Sequence, residues 1–286
     1  MSVCPDRLDD SHCQVRHILS LSGGKDSAAL AIYMRDKVPD IEYVFCDTEK
    51  ELPETYEYLV RLEVALGKRI VRLRHEERCG FDELLAIRGG YLPSPQVRWC
   101  TQYLKIRPFE QYVGSDAVVN YIGIRADEAD RKRYISTKPN IQAKYPFVED
   151  GIRKQDVIRI LNETIVAGKP LGLPEYYRWR SRSGCYFCFF QQRREWVGLL
   201  ENHPDLFLEA MAYEKDDSGR GRRYTWVQSE SLADLAKPER VGRIKREYES
   251  RLRATQAMRP DSPLGEVLSK GDDAADGWGP CLICYL

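Results

Sequence analysis

Six consecutive residues, Ser22-Gly23-Gly24-Lys25-Asp26-Ser27, carry the strongest chemical signal in this sequence. Two adjacent glycines let a backbone turn tightly enough to aim several N–H groups at one point, and a helix starting there adds the positive end of its dipole. Lys25 brings a mobile cation, Ser22 and Ser27 bring hydroxyl donors, and Asp26 completes a set suited to gripping a phosphate chain. The spacing is not that of GxxxxGK followed by Ser or Thr, so cleavage at a γ-phosphate is not implied.

Sulfur is the second signal. The chain has nine cysteines, four of them in two CxxC pairs, Cys185/Cys188 and Cys281/Cys284. That spacing lets both thiolates of a pair reach one metal ion. In a reducing compartment, cysteines in such numbers point to metal ligands or reactive thiols rather than disulfides. Cys4, Cys13, Cys46 and Cys79 have no partner spacing, and Cys46, inside an apolar run, reads as core packing.

The elements that must position these groups follow from hydrophobic period. The run HILSL (17–21) reads as a buried strand leading straight into SGGKDS and an apolar-periodic helix, Ala28–Met34. IEYVFC (41–46) is a second strand ending at Asp47. Pro53 marks the start of a helix with Tyr56, Leu59, Val60, Leu62 and Leu66 as its apolar positions. RIVRLR (69–74) is a third strand, Phe81–Ile87 a helix, and AVVNYIGIR (117–125) a fourth strand that would end on Gly123 and Arg125. This alternation predicts an α/β fold, a doubly wound and mostly parallel sheet over residues 1–150. Helix-like segments at 154–165, 193–201, 205–215 and 238–257 predict a helical, cysteine-bearing extension over 151–257. Residues 258–286 read as a Gly/Asp/Ser/Pro-rich tether closed by the second CxxC.

Composition narrows the class. There are 44 basic and 44 acidic residues, so no overall field favours DNA or an anionic membrane. No run of eighteen apolar residues exists to cross a bilayer. The opening MSVCPDRLDDSHCQ lacks the basic-then-apolar pattern of a secretory leader, and a cytoplasmic setting is expected. Locally, Arg178, Arg180, Arg182, Arg193 and Arg194 surround Tyr186, Phe187, Phe189, Phe190 and Trp196, a mixture that either grips nucleic acid or shields a metal cluster.

Several motifs together resemble one family. LSLSGGKDS is similar to the loop of the PP-loop ATP pyrophosphatase superfamily, of adenine nucleotide alpha hydrolase-like fold. FCDTEKELPETYEYL, WCTQYLKIRP, YIGIRADEADRKR, YPFVEDGIRKQDVIRIL and SGCYFC resemble, in order, segments of its phosphoadenosine-phosphosulfate-reductase-like branch. The chain lacks the Glu-Cys-Gly-Leu-His-like tail of the reductases. It looks closest to the ATP-pyrophosphatase component of bacterial DNA phosphorothioation systems.

The resemblance implies ATP with Mg2+ on Ser22–Ser27, Asp47, Gly123 and Arg125, with Lys25 and Arg125 acting on the phosphates. Asp127, Glu128 and Arg131 are further candidates for magnesium or phosphate, and Lys105 and Arg107 for phosphate. It also implies a 4Fe–4S cluster on Cys100, Cys185, Cys188 and either Cys281 or Cys284. The rival is a structural Zn2+ on the two CxxC pairs, leaving Cys100 as a sulfur carrier. Expected partners are a cysteine desulfurase as sulfur donor and DNA with a nicking or helicase protein; a homodimer is left open. The alternatives are a sulfonucleotide (PAPS or APS) reductase, a tRNA-thiolation-type enzyme, and a metal-bearing nucleotide-binding adapter.

Overall fold

Two-residue alternation builds the central sheet. In β1 (Arg16–Leu21) and β2 (Glu42–Cys46), Leu19, Leu21, Tyr43 and Phe45 point into one apolar layer, while Ile18, Val44 and Cys46 point into the opposite one. A sheet buried on both faces in this way must be covered by helices on both sides. The computed structural model describes residues 15–75, 79–128, 138–217 and 222–257. In it, β1 and β2 join β3 (Ile70–Leu73), β4 (Val118–Tyr121) and β5 (Ile141–Lys144) in one parallel sheet of order β3-β2-β1-β4-β5. The chain leaves β1 toward β2 on one side and reaches β4 on the other. The carboxyl ends of β1 and β4 therefore border the crevice where doubly wound sheets place their ligands.

On the first face lie α1 (Lys25–Arg35) and α2 (Pro53–Leu66). Pro53 pre-sets the first turn of α2, and Gly67, at φ +62°, ends it in the left-handed conformation. Leu59 and Leu62 of α2 are buried against the sheet, each contributing about 1.5–3 kcal/mol. The helix α3 (Phe81–Ile87) follows β3, and a run from α4 (Trp99–Thr101) through a π-helical turn, Gln102–Ile106, continues as α5 (Arg107–Val113). Phe109 and Val113 cover the second face. After the short α6 (Pro146–Glu149), α7 (Lys154–Glu163) packs against α1 and puts Val157 and Leu161 into the first core.

The remaining chain forms α8 (Arg193–Asn202), α9 (Pro204–Ala212), α10 (Leu232–Leu235) and α11 (Pro238–Ala257) around a separate, aromatic-rich cluster. There Phe187 lies 4.3 Å from Phe81 and stacks on Trp226 at 4.9 Å. Tyr186, Phe187, Phe190 and Trp196 are all buried. The aromatics that read in sequence as a platform or a shield are thus mainly core of the helical extension.

The sequence reading carried β4 to Arg125, but the strand ends at Tyr121. The reason is steric: the next residues turn over the start of α1, where Gly123 would bring a Cβ within 3.1 Å of the Asp26 carbonyl. The strand β5 carried no expectation. Among the described residues no helix is long and apolar enough to cross a membrane. Cys4, Cys13, Arg131, Cys281 and Cys284 lie outside the described residues.

Candidate nucleotide site

The loop after β1 is held shut by its own hydroxyls. Ser27 Oγ accepts from the Ser22 amide at 3.1 Å, donates to the Gly24 carbonyl at 3.2 Å, and lies 3.1 Å from Ser22 Oγ. Gly23 stands at φ +72°, a conformation costly for any side chain, and an added methyl would meet Thr55 Cγ2 at 2.5 Å. Gly24 is the extended N-cap residue of α1, leaving the first amides of that helix and its dipole at the loop. The six residues therefore do what their types imply: two glycines allow the turn, two serines pin it, and the helix begins.

Charge at this point is organised by a buried carboxylate. Asp26 is 6% exposed and accepts from Lys25 Nζ at 3.1 Å and from Arg125 Nη1 at 2.8 Å. Burial pushes its carboxyl up, but attraction to Lys25 and Arg125 outweighs that and leaves it at about 2. Arg125 also binds Asp127 at 3.0 Å and Glu128 at 2.9 Å. Burial opposes its charge, yet these carboxylates raise its affinity for its proton well above the ordinary arginine value. The missing side chain at Gly123 is what lets the loop after β4 approach α1 closely enough for Arg125 to reach Asp26. Lys25, Asp26, Gly123 and Arg125, about a hundred residues apart in sequence, meet beside one helix N-terminus.

A further wall comes from residues that sequence reasoning did not single out. Tyr176 donates to the Gly23 carbonyl at 2.8 Å, Ser183 Oγ to Ser22 Oγ at 3.3 Å, and the Lys25 amide donates to the Tyr177 hydroxyl at 3.2 Å. Lys25 Nζ also lies 4.9 Å from the centre of the Tyr177 ring. This segment is set by Arg180, 2% exposed, which donates to the carbonyls of Gly184 and Cys185. Glu195 accepts from the Ser181 amide and hydroxyl, both at 2.7 Å. A Tyr-Tyr pair carries no motif, and only the fold brings it to the loop.

The Tyr177 hydroxyl takes an amide that an incoming phosphate would use. Replacing Tyr177 with phenylalanine removes that competitor, and the ATP that the loop's resemblance leads one to expect should then bind roughly two- to tenfold more tightly, in line with one modest hydrogen bond. Isothermal titration on both proteins checks this; weaker binding by the variant would instead make the hydroxyl part of the phosphate cradle.

Asp47 sits at the carboxyl edge as expected, but it faces protein groups. Its carboxylate takes the Tyr56 hydroxyl at 2.8 Å, Arg74 Nη2 at 2.9 Å and the Glu49 amide at 3.0 Å, which fixes the turn after β2. That turn supports the first cysteine pair: the Lys50 carbonyl accepts from the Tyr186 amide, and Cys185 Sγ lies 3.2 Å from Thr48 Oγ1 and 3.7 Å from Glu51 Oε1. Burial, then the Glu51 carboxylate, pushes the Cys185 thiol well up. Cys188 closes a turn back to the Cys185 carbonyl, and Cys79, Cys100 and Cys185 all pack against the aromatic cluster. Among the described residues no three His, Cys, Asp or Glu side chains converge to hold a metal ion. Cys46 is buried, donates to the Lys105 carbonyl and has its thiol pushed up to about 12 by burial, as fits core packing.

The fold and this loop define a nucleotide-binding, doubly wound α/β protein. The chain belongs to the phosphoadenosine phosphosulfate reductase domain family, which it matches over residues 16–160. It is 27% identical over 217 residues to one uncharacterized protein of Methanocaldococcus jannaschii, covering 71% of this chain and 50% of that one. It is 33% identical over 203 residues to another from the same archaeon, covering 66% of this chain and 39% of that one. The chain thus spans half or less of the length of these relatives. A phosphoadenylyl-sulfate reductase from Candida auris, solved as a phosphate complex, aligns with a TM-score of 0.47 at 15% identity, covering 60% of this chain and 82% of that one.

Proposed function

We propose that this protein binds ATP, as its magnesium complex, over residues 22–27 and transfers AMP to an acceptor phosphate oxygen with release of pyrophosphate. The observation that supports this best is the convergence of Lys25 and Arg125 on Asp26 beside the first amides of α1. A triphosphate laid there meets two cations and a helix dipole at one end of the crevice. The acceptor oxygen attacks the α-phosphorus, the bond from that phosphorus to the bridging oxygen breaks, and negative charge grows on the departing pyrophosphate. Lys25 and Arg125 are placed to stabilise that charge. In this reading the acceptor is a DNA backbone phosphate. The outer sulfur of a cysteine desulfurase's persulfide then attacks the adenylated phosphorus and displaces AMP, and a second thiol cleaves the S–S bond of the linkage so formed, leaving a phosphorothioate and a disulfide.

The test is to incubate the full chain with ATP, DNA and a persulfide-loaded desulfurase and to separate the nucleotides formed. AMP and pyrophosphate in equal amounts support the reading; ADP with orthophosphate overturns it. The matched reductase family supports a second reading, thiol-dependent reduction of a sulfonucleotide. Sulfite released from phosphoadenylyl sulfate with reduced thioredoxin would establish that one instead.

A further inference from the structure

Many basic side chains of the fold are matched to carboxylates. Arg16 binds Glu42 and Asp116, Lys50 binds Asp82 and Glu209, Arg74 binds Asp47 and Glu49, and both Arg193 and Arg240 bind Glu230. In a chain of 44 basic and 44 acidic residues this is the expected outcome. Arg88, Arg98 and Arg107 are among the arginines that depart from it, and they lie side by side. Among the described residues none of the three has a carboxylate within ion-pair distance. Each lies on an aromatic ring: Arg88 is 5.4 Å from the Trp99 centroid and 5.1 Å from Tyr103, Arg107 is 4.0 Å from Tyr103, and Arg98, whose Nε donates to the Pro95 carbonyl at 3.0 Å, is 5.0 Å from Phe190 with its two terminal nitrogens left over.

These contacts form a continuous line. Arg107 and Arg88 share Tyr103, Arg88 also covers Trp99, and Trp99 is the neighbour of Arg98 in the chain. Arg98 shares Phe190 with Arg182, and the next residue, Ser183, bonds to Ser22 of the phosphate loop. A guanidinium seated on a ring keeps its charge and its fork of N–H donors in a fixed orientation, so little freedom is lost when a phosphate binds. The basic stretch Arg178–Arg194, by contrast, is largely engaged internally: Arg180 on backbone carbonyls and Arg193 on Glu230.

We infer that Arg88, Arg98 and Arg107 form a track for the phosphate backbone of double-stranded DNA, leading to the loop at Ser22–Ser27. This rests on the reading above that the acceptor is a nucleic-acid phosphate. The choice of a duplex follows from the rings. Trp99 is 3% and Phe190 7% exposed, and the half-buried Tyr103 ring is already covered by Arg88 and Arg107, so these rings orient cations rather than offering an open face to an unstacked base, as proteins gripping single strands do. A surface that presents guanidinium groups without base platforms suits a regular ridge of phosphates and carries no sequence preference.

The track can be tested by fluorescence anisotropy of the full chain with a labelled 30-base-pair duplex, without ATP, over a salt series. Each lost phosphate contact lowers the slope of log affinity against log salt by about 0.9, and three cost about a hundredfold in affinity at physiological salt. The variant R88Q/R98Q/R107Q is expected to show both changes, R88K/R98K/R107K to retain most of the binding, and R159Q, on α7 and paired with Asp156, to match the parent. Parental binding by the triple glutamine variant overturns the inference. So does tighter, equally arginine-dependent binding of a single strand of the same length. Pyrophosphate release, measured separately, keeps the two ideas apart. Turnover with arginine-independent DNA binding removes the track alone, and arginine-dependent binding without turnover removes the ATP reading alone.

Discussion

Lys25→Ala is expected to lower pyrophosphate release about a hundred- to a thousandfold while leaving the protein folded. The size follows from the proposed role: a cation pre-placed where charge develops on the leaving group is worth that much when deleted from a site already organised around it. The folding cost is expected to be far smaller. Arg125 stays on Asp26 at 2.8 Å, so the buried carboxylate keeps a full positive partner when Lys25 is removed. A loss of about 1 kcal/mol corresponds to a midpoint shift of only about 2–4 °C for a chain of this size. Steady-state release of pyrophosphate, read beside a thermal melt of each protein, separates the two effects. Equal turnover by variant and parent would remove Lys25 from the chemistry and, with it, the reason for placing the triphosphate here.

What the sequence disclosed was chiefly local. Turn residues, a helix-starting proline and short-period hydrophobicity identified β1, the loop, α1 and the start of α2, because each is written within a few neighbouring residues. The end of β4 was misread because apolar residues continue through Ile122 and Ile124, while the contact that stops the strand is between Gly123 and the backbone of α1. The strand β5 went unforeseen because it is four residues long at the sheet edge, with only Ile141 buried. Tyr176, Tyr177 and Ser183 meet the loop across some 150 residues of chain, and no local pattern encodes such a contact. The clustered arginines and aromatics of 178–196 drew notice by composition. The ring-seated arginines Arg88, Arg98 and Arg107 lie elsewhere, since whether a charge is matched is a property of the fold and not of spacing.

Arg125→Met should be the most damaging single change to stability, at about 3–5 kcal/mol. Asp26 would keep Lys25, but Asp127 and Glu128 would lose Arg125 as well, so three carboxylates, one of them 6% exposed, are left around a single lysine, and removing one member of a buried ion pair costs that much. Asp26→Asn alone should cost less, since Arg125 keeps Asp127 and Glu128. The double variant should recover part of the Arg125→Met loss, because an amide is far cheaper than a carboxylate to leave in that place. Urea unfolding of the four proteins closes the cycle; additive losses would mean the two side chains do not interact. The sign with pH is fixed as well. Asp26 has its folded value depressed to about 2 against about 3.9 unfolded, so its contribution is complete above pH 4–5 and lost only as pH falls toward 2. The Arg125→Met deficit should therefore be constant from pH 5 to 8 and shrink in acid. Pyrophosphate release should stay low in the double variant even where stability returns, because the recovered fold still lacks the guanidinium proposed to meet the phosphates.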